Sequence, residues 1–127
     1  MASKDESGPV PNWIKDVVWD LQHPKPINVQ LGFVTTQHGG QFWISEQDEP
    51  GGAGCAISTD DSPEARVELA YWLQDQFFAE TRGAWGEARP DCPSHSHPSV
   101  PRELDGEPWW VCPIDGHRVG RIGQLGP

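Results

Sequence analysis

The chain has few basic residues and no long apolar run, and each shortage excludes a class of protein. Lysine and arginine together number 9 against 19 acidic residues, so the net charge at pH 7 is -10. This charge repels phosphate backbones and anionic lipid surfaces, which makes nucleic-acid binding an unfavourable interpretation. No stretch approaches the roughly 18 uninterrupted apolar residues that a spanning helix needs, so we expect no membrane association.

The chain is also short of hydrophobic residues and cysteines. Hydrophobic residues make up 35% of 127 positions, whereas Gly and Pro number 14 and 13. One compact domain, or a small domain with a stapled module, is therefore the upper limit. The opening residues MASKDESGPVPN lack the apolar run of a signal peptide, so we expect a cytoplasmic protein. Cysteines are normally reduced there, and three of them favour metal ligation over a disulfide framework.

The pattern along the chain predicts an α+β fold in three parts. Residues 1–11 are rich in charge, Ser, Gly and Pro, as is typical of a disordered tail. Residues 12–88 predict a small antiparallel sheet of two or three strands packed on two helices. Residues 89–127 follow a Gly-rich and Pro-rich joint and form a separate small module.

The first helix is predicted from apolar residues at helical spacing. Asn12 is the expected cap, and the HPKP stretch at 23–26 is the expected stop. The apolar positions are Ile14, Val17, Val18 and Leu21.

Alternating residues from Ile27 predict a β-hairpin. INVQLGFVTT and QFWIS are the two strands, and QHGG is the turn between them. CAIST is a candidate third strand, in which we expect Cys55 to be a small buried hydrophobe. We assign three tryptophans to the core or to the joint between the parts: Trp43, Trp72 and Trp85.

A second helix is predicted over residues 62–82. Asp61 lies three residues before Glu64, as in a capping box, and Pro63 fits the first turn. Gly83 is the expected end of this helix. Its wide apolar face should pack on the hairpin and on the first helix.

Two six-residue stretches, CPSHSH from Cys92 and CPIDGH from Cys112, form a near-repeat. Cys92 and His95 have the Cys-x-x-His spacing, and Cys112 and Asp115 have the same interval. Zinc is usually held by four ligands that come as two closely spaced pairs. The near-repeat therefore predicts a Zn²⁺ site.

These stretches resemble the knuckles of zinc ribbons, which run Cys-Pro-x-Cys-Gly. CPIDG matches with Asp115 in place of the second cysteine, and CPSHS matches with His95 in that place. The resemblance covers only about residues 90–125, and it implies a metal-stapled β-hairpin.

The expected ligands are Cys92, His95 and Cys112, with a fourth that the spacing leaves open. Asp115 fits the knuckle interval, and His117 offers the imidazole that mixed thiolate sites commonly use. His97 also competes, or is a supporting or surface residue. The alternatives are that the two cysteines are ordinary thiols or a disulfide. Iron fits less well because its clusters usually draw on four thiolates.

The predicted function depends on whether protein ligands fill all four coordination positions of the metal or leave one open. Closure by four protein ligands makes the zinc structural and the chain a protein-binding or regulatory module. The alternative is a small zinc-dependent hydrolase with an open metal position. A third interpretation, local nucleic-acid contact by the module, is weakened by the acidity. Trp109 and Trp110 are adjacent on a predicted strand, so at most one joins the core of the module on a given side. The other either packs on the helical domain or is exposed as an anchor for a partner.

Overall fold

The fold is α+β and is built from two helices and two three-stranded antiparallel sheets. The computed structural model describes residues 9–23, 26–47, 49, 51–79, 88–92 and 97–125. The helices are α1 (Asn12–Asp20) and α2 (Pro63–Trp72), and α2 runs on into a π-helical turn, Leu73–Phe78. The first sheet consists of β1 (Val29–Thr36), β2 (Gly39–Glu46) and β3 (Ala53–Ile57). The second sheet consists of β4 (Val100–Leu104), β5 (Glu107–Val111) and β6 (Arg118–Arg121).

Helix α1 forms where the apolar spacing predicts it, but its start differs from the prediction. Asn12 is the first helical residue and not the cap. Pro11 precedes the helix, and its carbonyl accepts hydrogen bonds from the backbone N–H groups of Ile14 and Lys15 at 3.1 and 3.2 Å. Proline suits this place because its φ is preset and its own N–H is not needed.

The first sheet confirms the predicted hairpin and its third strand. Phe33 pairs with Phe42, and Leu31 pairs with Ile44, so these side chains share the inner face. The assignment of Trp43 to the core is wrong. It points to the outer face of the sheet and is 41% exposed, because successive strand residues alternate between faces and its neighbours Phe42 and Ile44 point inwards.

Helix α2 also forms as predicted, with a different cap. Ser62 is extended, and its side-chain oxygen accepts a hydrogen bond from the backbone N–H of Ala65 at 3.0 Å. The predicted capping role of Asp61 is wrong, because its carboxylate instead accepts two hydrogen bonds from Arg66 at 2.7 and 2.8 Å. The predicted end at Gly83 lies outside the described residues.

The second sheet is built from a hairpin of β4 and β5 and a third strand, β6. Strands β4 and β5 are joined by a tight turn in which Asp105 and Gly106 both have positive φ, 54° and 78°. Asp-Gly is a preferred pair for such turns, since glycine adopts positive φ without strain. Strand β6 then pairs with β5, with a register shift after Trp110.

The helices and both sheets contribute to one hydrophobic cluster. Trp110 lies in β5, and Ile122 comes directly after β6. Both are fully buried together with residues of α1, α2 and the first sheet. The indole N–H of Trp110 donates to the Asp20 carboxylate of α1 at 2.7 Å. The second sheet is thus fastened to α1 as well as packed on it. No helix among the described residues combines the length and the apolar character of a membrane span.

Candidate metal centre

The near-repeat lies in two segments, which we call the first Cys loop (92–97, of which 93–96 lie outside the described residues) and the second Cys loop (112–117). In the first, the backbone N–H of Cys92 donates to the carbonyl of His97 at 3.1 Å. In the second, the N–H of Cys112 donates to the carbonyl of His117 at 2.9 Å. Each loop therefore brings its first residue, a cysteine, back beside its last residue, a histidine.

The π-helical turn holds the base of the first Cys loop. The side-chain amide of Gln74 donates to the carbonyls of Arg89 and Ser99 at 2.9 and 2.6 Å, one on each side of the loop. Asp91 and Pro98 form an isolated antiparallel bridge inside these two points. The loop is therefore presented by α2 from outside the second sheet.

Strand β5 places the second Cys loop. Cys112 follows directly after the last residue of β5, and the N–H of Gly116 donates to the carbonyl of Cys112 at 2.8 Å. Gly116 has φ of +80°, which glycine adopts at little cost. The sequence CPIDG thus closes a tight turn immediately after a buried strand end.

The two loops bring three ligand atoms together. One ligand atom each of Cys92, His97 and Cys112 lies within 4.8 Å of the others. The cysteines are 2% and 0% exposed, and Nε2 of His97 is shielded from solvent. Two thiols and an imidazole in contact, from loops about twenty residues apart, can bind a metal ion.

A second group shares Cys112 with the rest of its own loop. One ligand atom each of Cys112, Asp115 and His117 lies within 4.8 Å of the others. Asp115 Oδ1 is 2.6 Å from Nδ1 of His117 and accepts the His117 backbone N–H at 3.0 Å. Since a carboxylate only accepts, Nδ1 carries a hydrogen, and in the neutral ring Nε2 is then the nitrogen with the free electron pair. A histidine held in this way by a carboxylate is the usual arrangement of a metal ligand.

The pKa of the Cys112 thiol is raised overall, because burial outweighs the backbone hydrogen bonds to its sulfur. Burial is the largest cause that raises the pKa of Cys112, and contacts of its thiol with Asp115 and Cys92 also raise it. The backbone N–H groups of Asp115 and Ile114 donate to the sulfur and lower the pKa. The pKa of Asp115 is held well below its usual range, chiefly by the backbone N–H of His117 and then by its ring.

The structure bears on each predicted ligand. Cys92 and Cys112 lie together, and all three cysteines are free thiols rather than a disulfide. His97, one of three candidates for the last place, lies with both of them. Asp115 and His117 lie beside Cys112. His95 belongs to the stretch 93–96, which lies outside the described residues.

The supporting role of Gln74 is absent from the sequence prediction. Its sequence signal is a polar residue at helical spacing from buried ones, four after Ala70 and three and four before Phe77 and Phe78. Such a residue needs a hydrogen-bond partner at the core boundary, and Gln74 finds two carbonyls there.

Comparison of the chain with protein-family models, with curated proteins and with solved structures finds no match. The functional argument therefore comes from the geometry of the two Cys loops.

Proposed function

We propose that this chain is a small acidic protein-binding module whose two Cys loops are tied together by a structural Zn²⁺. The observation that carries the proposal is the mutual approach of Cys92, His97 and Cys112 within 4.8 Å. His117 is the fourth ligand we favour, because it holds the same place in the second Cys loop as His97 does in the first. Asp115 then orients His117 through Nδ1, leaving Nε2 for the metal.

The donor set favours zinc. Mixed thiolate and imidazole ligation is characteristic of structural zinc, whereas iron-sulfur clusters usually take four thiolates. Burial raises the pKa of Cys112 in the metal-free chain, so a bound cation would have to displace the thiol proton, and the N–H groups of Ile114 and Asp115 would remain as donors to the sulfur. Thiolates of this kind persist in a reducing compartment, which is why we place the protein in the cytoplasm.

Burial favours a structural ion over a catalytic one. A catalytic zinc keeps a coordination position for water or substrate, whereas a structural zinc is closed by four protein ligands. Both cysteines are buried and lie with His97, and the second Cys loop places His117 and Asp115 beside Cys112, from where either can supply the fourth ligand. The zinc hydrolase that the sequence allows would need three protein ligands and a water on the ion. Binding to a protein partner is therefore the function we favour.

Metal content tests the proposal directly. We expect one zinc per chain by elemental mass spectrometry of protein purified under reducing conditions. Cys92→Ser and Cys112→Ser should each lower zinc affinity by more than a hundredfold, because a thiolate ligand is lost. Cys55→Ser is the matched control, since Cys55 lies in β3 of the first sheet, and it should keep its zinc. Zinc-free wild-type protein after zinc supplementation, or full zinc in a Cys92→Ser, Cys112→Ser double variant, would contradict the proposal.

Cobalt substitution identifies the remaining ligands. Co²⁺ in a tetrahedral site with two thiolates shows visible absorption that changes with each ligand. His97→Gln and His117→Gln should each alter the spectrum, whereas Asp115→Asn should weaken binding roughly tenfold to a hundredfold and keep the spectrum. A changed spectrum in His95→Gln, with His117→Gln unchanged, would transfer the fourth place to His95.

A further inference from the structure

Trp43 lies flat at the centre of the outer face of the first sheet. It is on the middle strand β2, and its cross-strand partners on both sides are glycines, Gly32 and Gly54. A Cβ built on Gly32 would lie about 2 Å from the indole atoms Cε2 and Cζ2, so the ring covers the place where a side chain would stand. One face of the indole thus rests on the backbone, and the side chain is 41% exposed.

The strand residues around Trp43 carry no charge. Pairing across the strands places small or uncharged polar residues on this face. They include Gln30, Val34, Thr36, Gln41, Ser45 and Ala56. A surface with about a quarter to a third charged residues is ordinary, so an uncharged face with a tryptophan at its centre is a candidate contact surface.

The segment that builds the first sheet is strongly acidic. Residues 26–61 hold five aspartate or glutamate residues and no lysine or arginine. Glu46 is the last residue of β2, Glu49 comes after that strand, and Asp60 and Asp61 come after β3, while Asp48 is the fifth acidic residue in the sequence. Although Asp61 is paired with Arg66, the segment and the whole chain, with its net charge of -10, attract cations.

The second sheet also has a tryptophan on its middle strand, and there arginines of the same chain stack on the ring. Trp109 is on the middle strand β5, and its outer face is covered by two arginines of the chain itself. The guanidinium carbons of Arg118 and Arg121 lie 4.9 and 5.3 Å from the centre of the Trp109 ring. Trp43 has no basic residue in its own sheet to take that place.

We propose that the outer face of the first sheet binds a basic, arginine-containing segment of a partner protein, with a guanidinium stacked on Trp43. The aromatic face attracts the cation, and the acidic ends of the sheet attract its neighbours. The inference rests on the binding role in the proposed function and specifies the partner, while the zinc site is a separate part of the molecule.

A second copy of this chain fits the same face poorly. Two strands of eight residues and one of five, about 4.8 Å apart and rising about 3.3 Å per residue, cover roughly 330 Å². A stable interface buries about 800 Å² on each partner, and two chains of charge -10 repel each other. A short basic segment needs less area and brings the opposite charge.

A peptide titration tests the proposal on the zinc-loaded full chain. The probe is Gly-Arg-Gly-Arg-Gly-Arg-Gly, followed at low salt by the indole N–H and backbone amide signals in NMR spectra. We expect shifts confined to Trp43, Gly32 and Gly54 and their neighbours, and affinity about tenfold lower in Trp43→Ala. The peptide with citrulline in place of arginine should bind at least tenfold more weakly, and 0.5 M NaCl should weaken binding.

The controls separate this surface from the fold and from the metal. Trp19→Ala removes a tryptophan that is also exposed, 45%, and should bind the peptide as the wild type does. Trp43→Phe keeps an aromatic ring and should retain part of the affinity. Zinc content of one per chain in Trp43→Ala would show that the metal site is intact. The proposal would be overturned if the citrulline peptide bound as tightly as the arginine peptide, or if Trp43→Ala left the affinity unchanged. It would also be overturned if the wild type were a dimer at neutral pH and Trp43→Ala made it a monomer.

Discussion

The carboxylate of Asp20 accepts three hydrogen bonds that connect α1 to the C-terminal part of the chain. It is completely buried at the end of α1 and accepts the indole N–H of Trp110 and the backbone N–H groups of Gly123 and Leu125. Burial raises its pKa, while the three donors lower it. One residue of α1 thereby fixes strand β5 and the chain that follows β6.

Replacing this carboxylate by an amide should destabilise the fold. In Asp20→Asn the NH₂ group would face one of three N–H donors, and a buried donor without an acceptor costs about 1–3 kcal/mol. Asp20→Ala should cost at least as much. Urea unfolding at pH 7 with zinc present measures the loss. Glu68→Gln, an exposed carboxylate on α2, is the control and should change stability by less than about 0.5 kcal/mol. Asp20→Asn as stable as the wild type would show that the three bonds contribute nothing net.

At the scale of elements, Arg66 joins α2 to the end of the second sheet. Its guanidinium donates to both oxygens of Asp61 and, at 2.8 Å, to the carbonyl of Ile122. The hydrogen bonds from Arg66 lower the pKa of Asp61. Since Asp61 is half exposed, the ion pair alone is worth less than about 1 kcal/mol.

This ion pair predicts a pH dependence with a defined sign. A carboxylate whose pKa falls on folding contributes stability above its unfolded pKa of about 3.9 and loses it as pH falls through the folded pKa. Asp61→Asn should therefore be less stable than the wild type at pH 7, and the difference should shrink below about pH 4. Urea unfolding at pH 3, 4 and 7 measures it, with Asp60→Asn as the control. A difference that grows as the pH falls would contradict the assignment.

Local periodicity and turn chemistry were sufficient to predict most elements. Helical spacing from Ile14 predicted α1, and alternation from Ile27 predicted the first sheet, because these segments bury one face each. Helix α2 was predicted from Pro63 in its first turn and from its wide apolar face. Strand β6 was not predicted, since RVGR is short and polar and becomes a strand only by pairing with β5. The cap at Ser62 was missed because Asp61 and Ser62 are both good caps, and Arg66 decides between them.

The candidate site was predictable only in part. The two Cys-Pro stretches predict that Cys92 and Cys112 meet, and their ligand atoms do lie together. Spacing along the chain could not choose among the histidines, because the choice depends on which turn closes each loop. The hydrogen bond from each Cys N–H to the histidine carbonyl five residues later selects His97 and His117 for attention. Trp43 was misassigned because composition alone does not reveal which face of a strand is buried.

At the scale of the whole molecule, the candidate metal site and the hydrophobic core are linked by short paths. Cys112 follows β5, whose Trp110 lies in the core shared with α1 and α2. The first Cys loop is held by Gln74 at the π-helical turn. The metal should therefore influence the second sheet directly and the helices through these contacts.

Removing zinc should loosen the molecule unevenly. With a chelator, we expect amide hydrogen exchange to accelerate in residues 97–122, by at least tenfold, because the loss of the ion frees both Cys loops. Exchange in β1 and β2 should stay within about twofold, because their ladder is independent of the loops. Added zinc should reverse the change. Equal acceleration in both sheets would show instead that the protein unfolds as one unit, and no acceleration would contradict a structural metal.

The uncharged outer face of the first sheet also governs how concentrated solutions behave. At neutral pH, each copy of the chain has a net charge of -10, and the resulting repulsion keeps these faces on different copies from associating. Near the isoelectric point, about pH 4.7, that repulsion vanishes. The uncharged faces around Trp43 can then associate, because they are weakly hydrated. Colloidal stability should accordingly be lowest there, and aggregates or crystals formed at that acidity should stack sheet upon sheet through Trp43.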